Sequence, residues 1–130
     1  MTVISGDGVF SHACVGATDL AQSGRFYDAA LAPLGIWNLG PFGETAILYG
    51  KEKPAFIVLR PSNREAPSSN GLTIGFAAGS QADVAALHAA GLAAGGVDEG
   101  GPGPRSHLPN AYAAYLRDPA GKEVCAYTFD

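Results

Sequence analysis

The residues best equipped for chemistry in this chain are its imidazoles and thiols. It has three histidines and two cysteines. His12 and Cys14 lie two apart in "FSHACVGATDL", and Cys125 sits in "GKEVCAYTF" between Glu123 and Tyr127. In a strand, residues two apart share a face. Phe10, His12 and Cys14 therefore form one face near the N-terminus, and Glu123, Cys125, Tyr127 and Phe129 form another near the C-terminus. A thiol acts as a nucleophile only when partly ionised, which needs a neighbouring cation or base. His12 supplies one if the two strands lie close. The same imidazole and thiol are also a partial metal set, short of the about three protein ligands that catalytic divalent ions usually take. The alternative is a buried thiol acting as a small hydrophobe, for Cys14 as for Cys125, with His12 serving as a hydrogen-bonded strand residue.

His107 lies in the glycine- and proline-rich stretch "GGPGPRSHLPNAY", which reads as a loop on a pocket rim. Arg105 beside it has a guanidinium suited to a carboxylate or phosphate; the competing reading is ordinary exposed loop chemistry. His88 falls on an apolar helix face and reads as packing. Glu44 and Glu123 are stray candidate ligands, while Tyr49, Tyr112, Tyr115 and Trp37 read as core or pocket wall. No phosphate loop, hydrolase elbow or zinc ribbon is present.

The elements that position these residues repeat. "FSHACVGATDLAQSGRFYDAALAPLG" reads as a strand over 9–16 and then a helix. Asp19 is its N-cap, Gln22 follows three residues on, and Gly35 closes it. Phe26, Tyr27, Ala30, Leu31 and Leu34 form its buried face. An offset of 61 residues restores the plan in "LTIGFAAGSQADVAALHAAGLAAGG". There a strand over 72–78 precedes the N-cap Ser80, Val84, Leu87, His88, Gly91 and Leu92 form the apolar face, and Gly96 falls on Gly35. Further strands are expected at 44–50, 55–60, 111–118 and 122–129, with a weaker one near Ile36–Leu39. "DPAGK" (118–122) makes a hairpin. The pattern is βαβββ twice: module one about 9–60, a Pro/Ser/Asn-rich linker at 61–70, and module two about 71–129, together one domain over 1–130. In the second strand, Ile74 and Phe76 facing a helix would leave Thr73, Gly75 and Ala77 on the opposite face.

With 47% apolar and 15% charged residues, the composition is that of a globular protein. The net charge of -4 without a basic stripe argues against a nucleic-acid partner. No run approaches the ~20 apolar residues of a spanning helix. No secretory signal is evident, and two cysteines make no disulfide framework, so the expected setting is the reducing cytoplasm.

"HACVGATDLAQSGRFYDAALAPLG", "GLTIGFAA" and "AAYLRDPAGKEV" together resemble the vicinal oxygen chelate superfamily of glyoxalases, bleomycin- and fosfomycin-resistance proteins and extradiol dioxygenases. The resemblance runs from about Phe10 to Phe129. It implies an α+β fold of two βαβββ modules whose curved, mainly antiparallel sheet holds a small molecule on its concave side. In the enzymes that side also holds a divalent metal on four strand positions. Those positions fall here on His12, on the Phe56–Val58 strand, on Thr73 and on Cys125. Only His12 matches a usual ligand, so no metal is expected; if one binds, His12 and Cys125 are its ligands. The implied pocket is His12, Cys14, Thr73, Gly75, His107, Cys125 and Tyr127. The implied function is binding of a small organic molecule by a homodimer paired across a two-fold axis. The alternative is a metal-dependent glyoxalase-like lyase or isomerase, or a dioxygenase, using His12 and Cys125.

Overall fold

A computed structural model describes residues 12–60 and 72–129 of the chain; the linker expected at 61–70 and the start of the first expected strand, with Phe10, lie outside them. The order is β1 (Ala13–Gly16), α1 (Leu20–Leu31), a 3₁₀ turn (Ala32–Leu34), β2 (Trp37–Phe42), β3 (Ala46–Gly50) and β4 (Pro54–Leu59). There follow β5 (Thr73–Ala77), α2 (Gln81–Ala93), β6 (Val97–Pro104), β7 (Tyr112–Arg117) and β8 (Glu123–Thr128). This is βαβββ twice, as the repeat predicts. The strands form two four-stranded sheets, β1-β4-β3-β2 and β5-β8-β7-β6. In each, the first strand runs parallel to the last, and the remaining pairs are antiparallel.

Both helices start as their caps dictate. The Asp19 carboxylate accepts from the Gln22 N–H at 3.0 Å, and the Ser80 hydroxyl from the Asp83 N–H at 3.1 Å. Gly35 closes the first helical segment at φ 73°. In the second module the left-handed position is Gly95 (φ 98°), not the expected Gly96. Gly96 serves packing instead, since a Cβ there would come within 2.6 Å of Phe26 Cε1. Leu92 also departs from expectation, lying exposed beyond the edge of the apolar face.

The sequence reading missed β6. Its glycines and prolines carry no alternating apolar signal, and the strand is held by pairing with β7 through two register shifts. As an edge strand it tolerates proline, because its outward N–H groups have no ladder partner to lose.

One core joins the modules. Helices α1 and α2 pack on each other. Their apolar faces share a cluster with Val15, Tyr49, Phe56 and Val58 of the first sheet and Phe76, Leu116, Val124 and Ala126 of the second. Phe56 and Phe76 meet edge to face at 5.1 Å across the modules. The opposite faces of both sheets point away from this core. Among the described residues no helix is long and apolar enough to cross a membrane.

Candidate functional site

Alternation along β5, β7 and β8 sorts the second sheet into two faces. Phe76, Val124 and Ala126 go to the shared core. Ala111, Ala113, Cys125 and Tyr127, flanked by Tyr115 and Phe129, form a second cluster on the other side. Gly75 lies opposite Cys125 in the β5–β8 register, and a Cβ on it would sit 3.4 Å from the thiol sulfur. Thr73, at the start of β5, hydrogen-bonds Glu123 across the same pair of strands. His107, in the loop before β7, places Nε2 3.4 Å from the Tyr127 hydroxyl. Thr73, Gly75, His107, Cys125 and Tyr127 are thus gathered on one sheet face. His12 and Cys14 are elsewhere: both are exposed on the first sheet, Cys14 beside Ile57 in the β1–β4 register.

The centre of the face is a pair of phenols. The hairpin register sets Tyr115 opposite Cys125 and Ala113 opposite Tyr127, which makes Tyr115 and Tyr127 diagonal neighbours. Their hydroxyls hydrogen-bond each other. Their rings meet edge to face at 5.8 Å, and Tyr127 stacks on Phe129 at 5.8 Å. Burial, with the hydrogen bond to Tyr127, pushes the Tyr115 phenol above its ordinary range, so it stays a neutral donor. Sequence reasoning placed Tyr115 in the core or a pocket wall and did not pair it with Tyr127. The five-residue turn 118–122 carries that signal, because it sets Arg117 opposite Glu123 and the register follows.

Cys125 is buried, and burial, with the Glu123 charge, pushes its thiol up to about 12. The Tyr115 hydroxyl and the Arg105 charge act in the opposite direction without prevailing. A thiol so placed is protonated at neutral pH and is neither nucleophile nor metal ligand in that state. Arg105 is not a free anion clamp either. Its Nη1 donates to the carbonyls of Gly103 (3.0 Å) and Pro104 (3.2 Å), its Nη2 to that of Gly101 (3.1 Å). These carbonyls lie in or beside the irregular part of β6. The guanidinium also lies 5.5 Å from the centre of the Tyr115 ring. The backbone N–H of Arg105 closes the His107 loop on the Ala111 carbonyl at 2.9 Å.

The remaining candidates are structural or peripheral. His88 is buried on α2, with Nε2 2.8 Å from Asp98 Oδ1, and this hydrogen bond holds the Asp98 carboxyl below its ordinary range. Tyr49 is fully buried and donates toward Asp28 Oδ1 at 2.8 Å. Trp37 is exposed on β2, Glu44 is exposed in the β2–β3 turn, and Tyr112 packs against the main core. A depression of about 330 Å³ lies at the end of the second sheet, lined by Gln81, Pro104, Asn110, Ala111, Tyr112 and Phe129. It adjoins the phenol pair through Phe129 rather than lying over it. Asn110 holds φ 61°, a conformation asparagine tolerates better than most residues.

Among the described residues no three His, Cys, Asp or Glu side chains gather as a metal-ligand set. His12 directly precedes β1 of the first sheet, and Cys125 lies in the second. Among the described residues the donor set of one chain does not fit a divalent ion.

Several solved structures are similar to this chain over nearly its whole length. A glyoxalase/bleomycin resistance protein from Albidiferax ferrireducens is 42% identical, with 92% of this chain and 98% of that one covered at a TM-score of 0.81. A glyoxalase-related enzyme from Fulvimarina pelagi (20% identity, 89% and 85% covered, TM-score 0.70) shares the fold. So does a lactoylglutathione lyase from Agrobacterium tumefaciens (17% identity, 89% and 90% covered, TM-score 0.61). No family model and no curated protein matches the sequence.

Proposed function

The chain belongs to the glyoxalase/bleomycin resistance protein family, and on that premise we propose that it binds a small, partly apolar organic molecule on the outer face of its second sheet, in the cytoplasm. The observation that carries this reading is the makeup of the face. Ala111, Ala113, Tyr115, Tyr127 and Phe129 offer an apolar and aromatic surface whose polar groups are neutral hydroxyls. Ligand sites are mostly apolar with a few placed polar groups. The protonated Cys125 thiol favours binding over covalent chemistry.

The pocket is completed by a second copy. Strands β1 and β5 are sheet edges with one unpaired side. Trp37, Phe42, Leu72 and Val97 expose much of their surface. Pairing across a two-fold axis would cover such edges, and a stable dimer should bury more than ~1,000 Å² in total. Light scattering should give about twice the 13.2 kDa chain mass; a mass near one chain would end the dimer reading.

A second reading, a lyase or isomerase acting on a carbonyl compound, draws on the contact between the His107 imidazole and the Tyr127 hydroxyl. Calorimetric titration with small aromatic compounds separates the two when each mixture is then examined by NMR. Saturable binding with unchanged compound supports the binding protein. Turnover to a new species transfers the assignment to the enzyme. Absence of any saturable binding removes both.

A further inference from the structure

We propose that the depression at the end of the second sheet is a binding site for a neutral cyclic amide, a small flat ring carrying an N–H donor beside a carbonyl acceptor. The site is separate from the outer sheet face and does not rest on the reading given for that face.

The ends of β6 and β8 and the starts of β7 and α2 meet at this depression. Pro104 is the last residue of β6, Tyr112 the first of β7, Phe129 follows β8, and Gln81 opens α2. Pro104 stands opposite Tyr112, and Tyr112 opposite Thr128, so the strand ends lie side by side. Tyr112 packs against the shared core, whereas Phe129 packs against the cluster on the outer face. The depression therefore straddles the end of the sheet and receives groups from both of its sides. Asn110 and Ala111, in the loop before β7, complete it. That loop is held in place. The Arg105 N–H donates to the Ala111 carbonyl at 2.9 Å and the Ala111 N–H to the Leu108 carbonyl at 3.3 Å, with Asn110 at φ 61°. The Ser80 cap fixes the start of α2 on the other side.

The lining selects the chemistry. Among the described residues its polar side chains are the Gln81 and Asn110 carboxamides and the Tyr112 hydroxyl, and no Lys, Arg, Asp or Glu lines it. None of the three has a hydrogen-bond partner among the described residues, and each can both donate and accept. An ionic ligand would give up hydration here without meeting an opposite charge. The guanidinium of the loop does not alter this, because Arg105 already donates to the carbonyls of Gly101, Gly103 and Pro104. A neutral group with adjacent donor and acceptor answers a carboxamide in both directions. The rest of the lining is Pro104, Ala111 and the rings of Tyr112 and Phe129, which suit a flat ring. A volume of about 330 Å³ stands at the small end of ligand sites and holds a molecule of one or two rings.

The experiment titrates isotopically labelled full-length protein with 2-pyridone, a neutral cyclic amide. Two-dimensional NMR resolves the side-chain NH₂ groups of Gln81 and Asn110, and both signals should move saturably. The derivative 1-methyl-2-pyridone keeps the ring without the N–H, and benzoate carries a charge instead. Each should bind at least about threefold more weakly than 2-pyridone. Gln81→Ala and Asn110→Gly should each weaken 2-pyridone about threefold to tenfold, the effect of one hydrogen bond. Glycine takes the left-handed backbone of position 110 without strain, so that variant keeps the loop. Movement at Gln81 and Asn110 with the backbone signals of Tyr115 and Cys125 unmoved supports this site whatever becomes of the outer-face reading. Absence of saturable movement at the two side chains overturns it. So does equal affinity for 2-pyridone and its methyl derivative, or movement confined to Tyr115 and Cys125, which transfers binding to the outer face.

Discussion

A buried hydrogen bond joins the helical layer of module one to the hairpin of module two and offers a direct test of how the modules are joined. Tyr27 on α1 donates its hydroxyl to Asp118 Oδ2 at 2.6 Å, and both residues are almost fully buried. Tyr27→Phe keeps the ring and its contacts with Phe26 (4.9 Å) and Phe56 (5.0 Å), so only the hydroxyl is lost. A hydrogen bond to a charged group contributes about 1.5–3 kcal/mol, and the orphaned oxygen stays buried. The unfolding constant should therefore rise between roughly tenfold and a hundredfold. The melting temperature should fall by about 5–12 °C for a domain of this size. Urea titration is the assay, with the midpoint shifted and the slope unchanged.

The same pair fixes a pH dependence. Burial raises the Asp118 carboxyl above its ordinary range, outweighing the Tyr27 hydroxyl and the N–H groups of Lys122 and Ala120 that pull it down. The folded protein thus holds this proton more tightly than the unfolded chain does. The resulting stability is fully present below the unfolded pKa and is lost as pH rises through the raised folded value. Asp98 has the opposite sign, because His88 holds it below its ordinary range, and its contribution is lost as pH falls. Subtracting the curve of Asp118→Asn from that of the native chain cancels the Asp98 part. The difference should decline as pH rises through the acid range and then flatten. A Tyr27→Phe midpoint within about 0.5 kcal/mol of native, or a flat difference curve, would refute the reasoning.

Three further outcomes follow from packing and burial. Ser23→Ala should stabilise the protein by about 1 kcal/mol, read from the urea midpoint, because the buried Ser23 hydroxyl has no hydrogen-bond partner among the described residues and alanine is the better helix former. Gly91→Ala should instead destabilise, although alanine normally gains about 1 kcal/mol over glycine in a helix. The new Cβ would come within 2.4 Å of Leu116 Cδ1 and 3.2 Å of Phe26 Cε1, and overpacking costs about 1–3 kcal/mol; a raised melting temperature would contradict this. In the folded protein iodoacetamide should label the exposed Cys14 well before Cys125, whose thiol is buried and pushed up to about 12. Peptide mass analysis showing Cys125 modified first would contradict that order.

Much of this fold was legible because the deciding signals are local. Asp19 and Ser80 cap the helices as their positions predict, and the apolar stripe of α1 is buried from Phe26 to Leu34. Alternation also placed Cys125 and Tyr127 on one face, away from Val124 and Ala126. The failures share another cause. Strand β6 exists through its partner β7, so residues 97–104 carry no pattern of their own. Arg105 read either as an anion clamp or as ordinary loop chemistry, because its real partners are backbone carbonyls, which no side-chain pattern reveals. Gly101 falls within a register shift of β6, while Gly103 and Pro104 pair with Ala113 and Tyr112 on this edge strand.

The same irregular edge links stability to the site. A guanidinium left free on this face would recruit anions by charge alone. Spending its donors on Gly101, Gly103 and Pro104 immobilises the side chain and leaves only its field over the Tyr115 ring. The Tyr115 and Tyr127 hydroxyls beside it are held to each other by a hydrogen bond, a preorganised arrangement. Glycine at position 75 fits this arrangement, since it adds no side chain above the Cys125 sulfur. A glycine- and proline-rich edge thus fixes Arg105 beside two hydrogen-bonded tyrosines that flank a buried thiol.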